Sequence, residues 1–155
     1  KKFLGTKNND KFMRLEDWFK RHTAPTPNGD YLLQMDIEGA EFDVILDTPQ
    51  QILKQFRIII IEFHGMEKMF QSGHLKKIRS VFEKLTQDHL VVHNHPNNCR
   101  PIFYKDGIEV PKVFEITLYR KDRSTADSTP LTFPHKLDRT NVASKPDFPL
   151  PKTWQ

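Results

Sequence analysis

The chain has 155 residues, enough for one domain around a single core, and its 28% of charged residues is ordinary for a chain that folds. The formal net charge of +4 comes from bases scattered among acids, as in "YRKDR" (119–123), with no basic stripe interleaved with aromatics, so nucleic acid is not an expected partner. Cys99 is the single cysteine, which excludes an internal disulfide and leaves the compartment open; no apolar run approaches the ~18 residues that span a bilayer, and Lys1 to Asp10 lacks the apolar centre of a signal peptide.

In chain order, Met13, Leu15, Trp18 and Phe19 recur at near-helical spacing in "MRLEDWFKRH" and predict a short helix, with a turn at "TPNGD" (26–30). "YLLQMDI" (31–37) is a short strand. "GAEFDVIL" (39–46) reads as a helix opening on Gly39, and "DTPQQILKQF" restarts one with Thr48 as cap and Pro49 at its first position. "FRIIIIEFH" (56–64) carries four consecutive isoleucines, and its length and β-branching predict a central strand buried on both faces. From Ser72, the residues Leu75, Ile78, Phe82 and Leu85 with Lys and Arg between them give an amphipathic helix. "HLVVHNH" (89–95) and "VFEITLYR" (113–120) are the last strands, and after Arg120 a run of prolines without periodic apolar positions predicts an extended tail, anchored at most by Phe148 and Trp154. Strands separated by helices imply parallel crossovers and an α/β sheet, whereas the final two strands, joined without a helix, are free to pair antiparallel at an edge.

In open α/β sheets ligands bind beyond the carboxyl ends of the strands, which selects "DIEGAE" (36–41), "EFHG" (62–65) and "HNHPNNC" (93–99). Asp36 and Glu38 fall where the first strand exits toward substrate, while Glu41 and Asp43 lie further into the helix, where carboxylates complement its positive end. Glu62 and His64 flank Phe63 and therefore share one side of their strand, a histidine with a carboxylate partner being suited to act as base or metal ligand. His93, His95 and Asn97 belong to a polar loop that either fixes backbone or binds a hydroxylated substrate; HxH with Cys99 is not a strong zinc spacing.

"LLQMDIEGAEFDVIL", followed by a helix and "RIIIIEFHG", resembles the second half of FkbM-type S-adenosylmethionine-dependent methyltransferases, in which a strand runs into Asp-x-Glu-Gly-x-Glu and a later strand ends in Glu. The matching positions are Asp36, Glu38, Gly39, Glu41 and Glu62, with Leu15 and Asp17 of "LEDWF" in the preceding helix. The segments "HNHPNNC", "VPKVFEITLYRKD" and "FPHKLDRTNVASKPDFPLPKTW" are similar to those of eukaryotic methyltransferase-like proteins that share this domain.

The resemblance implies the second half of a class I, Rossmann-like methyltransferase sheet, mostly parallel, with an antiparallel last strand inserted between the two before it. Residues 1–120 are then the C-terminal half of the α/β domain and 121–155 a Pro-rich tail. The glycine-rich cofactor loop of that fold has no counterpart here, since no Gly-x-Gly occurs in the chain. With a start that is not Met, we therefore expect a fragment with an exposed edge at the Tyr31 strand and little or no affinity for S-adenosylmethionine by itself.

The activity implied is methyl transfer to a hydroxyl of a small molecule or glycan. Asp36 then orients the acceptor or assists proton removal, His64 serves as base, and Glu62 holds it or the substrate, while Glu38, His93, His95 and Asn97 bind substrate. A divalent cation on Asp36 with Glu62 or His64 is compatible with this set. The alternatives are a non-catalytic methyltransferase-like interaction or carbohydrate-binding domain, and a metal hydrolase using His64, His93 and His95.

Overall fold

The computed structural model describes residues 1–24, 30–125 and 133–154. The two-residue strands β1 (Phe3–Leu4) and β2 (Phe12–Met13) pair in parallel ahead of helix α1 (Leu15–His22). Met13 therefore belongs to a strand, and the helix buries Leu15 and Phe19, one turn apart. Glu16 and Asp17 in its first turn and Lys20, Arg21 and His22 in its last complement the helix dipole. The turn expected over 26–30 lies, apart from Asp30, outside the described residues.

Strand β3 (Tyr31–Met35) leads through a tight turn to α2 (Glu41–Asp47) and then α3 (Gln50–Leu53). The helix begins two residues later than the sequence suggests because Glu38 (φ 59°) and Gly39 (φ 107°) are left-handed, a conformation that a right-handed helix excludes. Thr48 does not cap α3; its hydroxyl donates to the Val44 carbonyl at 2.7 Å, closing α2 instead.

Strand β4 (Phe56–His64), a 3-10 turn over Met66–Phe70, helix α4 (Ser72–Asp88) and strand β5 (His89–Pro96) follow. A small hairpin, β6 (Phe103–Lys105) and β7 (Ile108–Val110), precedes β8 (Val113–Arg120). The hairpin turns on Asp106 and Gly107, both at positive φ (51° and 77°), as a two-residue turn between twisted strands requires.

The main sheet has the order β3-β4-β8-β5. Strands β3 and β4 pair in parallel and β8 runs antiparallel to both β4 and β5, so β3, β4 and β5 point one way and only β8 points the other. The strand between β4 and β5 is thus the last one in sequence. The result is a mixed, open α/β sheet whose β3, β4 and β5 carboxyl ends lie together.

One face of this sheet carries the core. Leu33 and Met35 of β3, Ile59, Ile61 and Phe63 of β4, and Phe114, Ile116 and Leu118 of β8 pack with Phe42 and Ile45 of α2 and with Ile78, Val81 and Leu85 of α4. Phe63 sits at the centre, with ring centroids 4.8 Å from Phe42, 5.4 Å from Phe82 and 6.3 Å from Phe114. Burying a side chain of this kind contributes about 1.5–3 kcal/mol. Leu75, expected on the same stripe, stays exposed in the first turn of α4.

The other face of β4 carries Ile58, Ile60, Glu62 and His64 and is half-buried, so the expectation of burial on both faces is corrected here. Its polar ends require access to water or to partners, which a second apolar layer would deny. On the core face the tail adds cover: Leu150 is buried, and Trp154 packs edge-on to Phe114 at 5.3 Å while donating to the Glu109 carbonyl at 2.9 Å. Among the described residues no helix is long and apolar enough to cross a membrane.

Candidate active site

The carboxyl ends of β3 and β4 lie side by side because the two strands pair in parallel, Met35 opposite Ile61. Asp36 therefore emerges next to Glu62, and the turn beyond it brings Glu38 and Glu41 over the end of β4. His64, on the same side of its strand as Glu62, points into this group. Its Nε2 lies 3.5 Å from Glu62 Oε1, 3.6 Å from Glu38 Oε2 and 3.9 Å from Asp36 Oδ1. Its Nδ1 lies 3.1 Å from Glu41 Oε1.

Glu41 is the residue whose part the sequence conceals. It stands in the first turn of α2, as expected of a helix-dipole carboxylate, yet it is fully buried. Its Oε1 accepts from the backbone amides of Ile37 (3.2 Å) and Gly39 (2.9 Å) besides facing His64 Nδ1. One oxygen thus fixes both the strand-to-helix turn and the imidazole. A carboxylate beside Nδ1 favours the tautomer with the proton there, which leaves the Nε2 lone pair of the neutral ring facing Asp36, Glu38 and Glu62. Asp43, two residues on and so nearly on the opposite face of α2, instead pairs with Lys77 of α4 at 2.8 Å.

Glu62 is set by its surroundings. Burial pushes its carboxyl above the usual carboxylate range, Asn97 Nδ2 opposes this by donating to Oε1 at 3.2 Å, and the charge of Asp36 pushes it further up. His64 pulls it down and Glu115 pushes it up by smaller amounts. Glu115 lies directly opposite Glu62 on β8, and His95 lies opposite Glu115 on β5, so an acid-acid-histidine row crosses the sheet.

Of the residues in "HNHPNNC", the structure brings Asn97 to the site and turns the others toward the tail. His93 Nε2 meets Asp138 Oδ1 at 2.8 Å, and His95 Nε2 lies 3.5 Å from Asp147 Oδ2 without a hydrogen bond. Asn98 donates to the carbonyls of Val142, Lys145 and Pro146 at 3.1–3.2 Å and accepts from the Val142 amide at 2.8 Å. Asn97 Oδ1 also accepts the Cys99 amide at 2.8 Å. The histidines therefore do not join His64, and a metal set of His64, His93 and His95 is not formed. Among the described residues the group with ligand geometry is Asp36, Glu62 and His64, whose ligand atoms all lie within 4.8 Å of one another.

A family model for the methyltransferase FkbM domain matches residues 10–89, just over half of the chain. The chain belongs to the FkbM methyltransferase domain family. The matched span of this FkbM domain runs from the residues before β2 to the first residue of β5, and it contains Asp36, Glu38, Glu41, Glu62 and His64. Asn97, which binds Glu62, and the tail residues that grip β5 lie beyond it. No curated protein matched the chain, and no solved structure did.

Proposed function

We propose that this FkbM domain supplies the acceptor side of an S-adenosylmethionine-dependent methyltransferase that acts on a hydroxyl of a small molecule or glycan. The observation that carries this reading is the convergence of Asp36, Glu38 and Glu62 on Nε2 of an imidazole whose Nδ1 is held by buried Glu41. The strand order, with antiparallel β8 between β4 and β5, supports assignment to the second half of a class I, Rossmann-like methyltransferase sheet.

S-adenosylmethionine, when bound, supplies an electrophilic methyl group on a sulfonium. Among the described residues no glycine-rich cradle for it is formed: Gly39 and Gly65 stand singly at their turns, and the amide of Gly39 is already taken by Glu41. What the chain contributes is acceptor chemistry. Asp36 orients the acceptor through another of its donors, and His64 Nε2 takes the proton of the reacting hydroxyl as its oxygen attacks. The imidazolium so formed is stabilised by the carboxylates of Glu41 on one side and of Glu62 and Glu38 on the other. Asn97 holds Glu62 in place.

A second version of the same site is favoured by the spacing of Asp36, Glu62 and His64. Ligand atoms within 4.8 Å of one another suit a divalent cation at bond lengths of roughly 2.0–2.6 Å, and a histidine whose other nitrogen faces a carboxylate is a common metal ligand arrangement. The cation would then bind the acceptor oxygen and lower its proton affinity in place of the base.

Transfer of a labelled methyl group to a panel of hydroxylated acceptors, by the protein that carries this domain, tests the reading. We expect His64→Ala to lower turnover about 100-fold or more, the range of general-base contributions. Full activity in that variant would overturn it. Loss of activity on chelation with recovery on added Mn²⁺ or Mg²⁺ selects the cation version, and indifference to chelator selects the base version.

A further inference from the structure

His64 also borders a cavity of about 200 Å³, whose polar lining comes from Asp43, Lys68, His74 and Lys77 beside the turns at Gly39 and Gly65. It admits several groups of water size, each of which needs roughly 10–15 Å³. Three of its side chains, Lys68, His74 and Lys77, bring basic nitrogens to one small recess. Lys77 is answered by Asp43 at 2.8 Å, but among the described residues neither Lys68 nor His74 has a carboxylate within ion-pair distance.

The recess also borders the start of α4. This 17-residue helix opens without a side-chain cap and without an acidic residue in its first turn, where His74 lies. The positive end of the helix and the basic side chains therefore reinforce each other. Mutual repulsion of such groups is relieved by an anion, and among the described residues that line the recess Asp43 is the one carboxylate.

We propose that this cleft holds an oxyanion of the methyl acceptor, a carboxylate or a phosphate, while the acceptor hydroxyl meets Asp36 and His64. The proposal rests on the acceptor-side reading given above and names its substrate class: a hydroxylated acid, such as a sugar acid or a sugar phosphate. Lys68 and Lys77 make charge-assisted hydrogen bonds to the oxyanion, and His74 adds a third donor. The two contacts, one in the cleft and one at His64, together fix which hydroxyl is presented.

The test is titration of the full chain with inorganic phosphate and, separately, with glucuronate at constant ionic strength, following backbone amide NMR shifts. Saturable shifts centred on Gly65, Lys68 and His74 are expected, with phosphate and glucuronate midpoints ranking the two anion types. Lys68→Ala and Lys77→Ala should each weaken the midpoint about tenfold, whereas Lys136→Ala, on an exposed stretch of the tail, should leave it unchanged. Lys68 is exposed, so its removal leaves the core intact. Shifts that do not saturate, that spread over lysines generally, or that keep their midpoint in both variants overturn the proposal. Saturable binding with no methyl transfer to any hydroxylated acid keeps the cleft and overturns the methyltransferase reading. Undiminished transfer to hydroxylated acids in Lys68→Ala does the reverse.

Discussion

Glu41 Oε1 and His64 Nδ1 lie 3.1 Å apart at the end of two parallel strands, and the carboxylate that makes this contact is wholly removed from solvent. A buried carboxylate is tolerated only with donors around it, and here two backbone amides and an imidazole face the same oxygen. Glu41 is thus the keystone of the turn as well as the support of the histidine.

Removing that support should have two separable effects. Glu41→Ala leaves the Ile37 and Gly39 amides without their acceptor and is expected to cost about 2–4 kcal/mol, from the unsatisfied donors and the lost charge-assisted contacts. Glu41→Gln keeps an oxygen in place and is expected to cost about 1 kcal/mol while losing most of the activity, because the imidazolium then lacks its counter-charge. Urea unfolding of both variants beside turnover measurements checks this; equal losses of stability in the two would refute it.

Glu62 gives a pH dependence with a definite sign. Its carboxyl is raised in the folded state, chiefly by burial, so the folded protein holds a proton that the unfolded chain releases at lower pH. The group favours folding most below its unfolded value near 4.5 and loses that contribution as pH rises through the folded value. Above the folded value the ionised side chain opposes folding. Glu62→Gln is therefore expected to raise the melting temperature at pH 7 by about 2–4 °C and to flatten the decline of stability above pH 5. A lower melting temperature at pH 7 in the variant would contradict it.

Asn98 holds three tail carbonyls and one tail amide. Asn98→Ala should loosen residues 142–146 without unfolding the sheet, at a cost of about 1–3 kcal/mol. Limited proteolysis and hydrogen exchange read this directly. Faster cleavage and exchange are expected in 142–146, with β4 and β8 protected as before.

Phe63 tests the core beneath the site. It is completely buried among Phe42, Phe82 and Phe114, so Phe63→Ala should cost about 3–5 kcal/mol, whereas Phe63→Leu should cost appreciably less. Because Glu62 and His64 flank it on the strand, even the milder change is expected to reduce turnover. Denaturation midpoints and kcat of the two variants provide the comparison.

Much of this architecture is legible in the sequence because it depends on short-range pattern. Ile58 to Ile61 announce the central strand, and the rule that ligands gather at strand carboxyl ends groups Asp36, Glu62 and His64 without knowledge of register. The work of Glu41 is not legible, since its partner is 23 residues away and is delivered by the parallel pairing of β3 and β4. His93 and His95 show the converse. Their density suggested a ligand loop, but Asp138 and Asp147, which face them from the tail, have no sequence mark that ties them to β5. The β6–β7 hairpin is different again, because Asp106-Gly107 is a strong hairpin dipeptide that the strand pattern alone overlooks.

The place of β8 in the sheet has a consequence for how the chain reaches this structure. Strands β4 and β5 are not neighbours; each pairs with β8, which is made after both. During synthesis β4 can zip to β3, but β5 has no lattice partner until residues 113–120 leave the ribosome and slot between them. The middle of the sheet is the last of it to arrive: the His64 cluster can gather as soon as β3 and β4 pair, whereas the Asn97 bond to Glu62 waits until β8 seats β5.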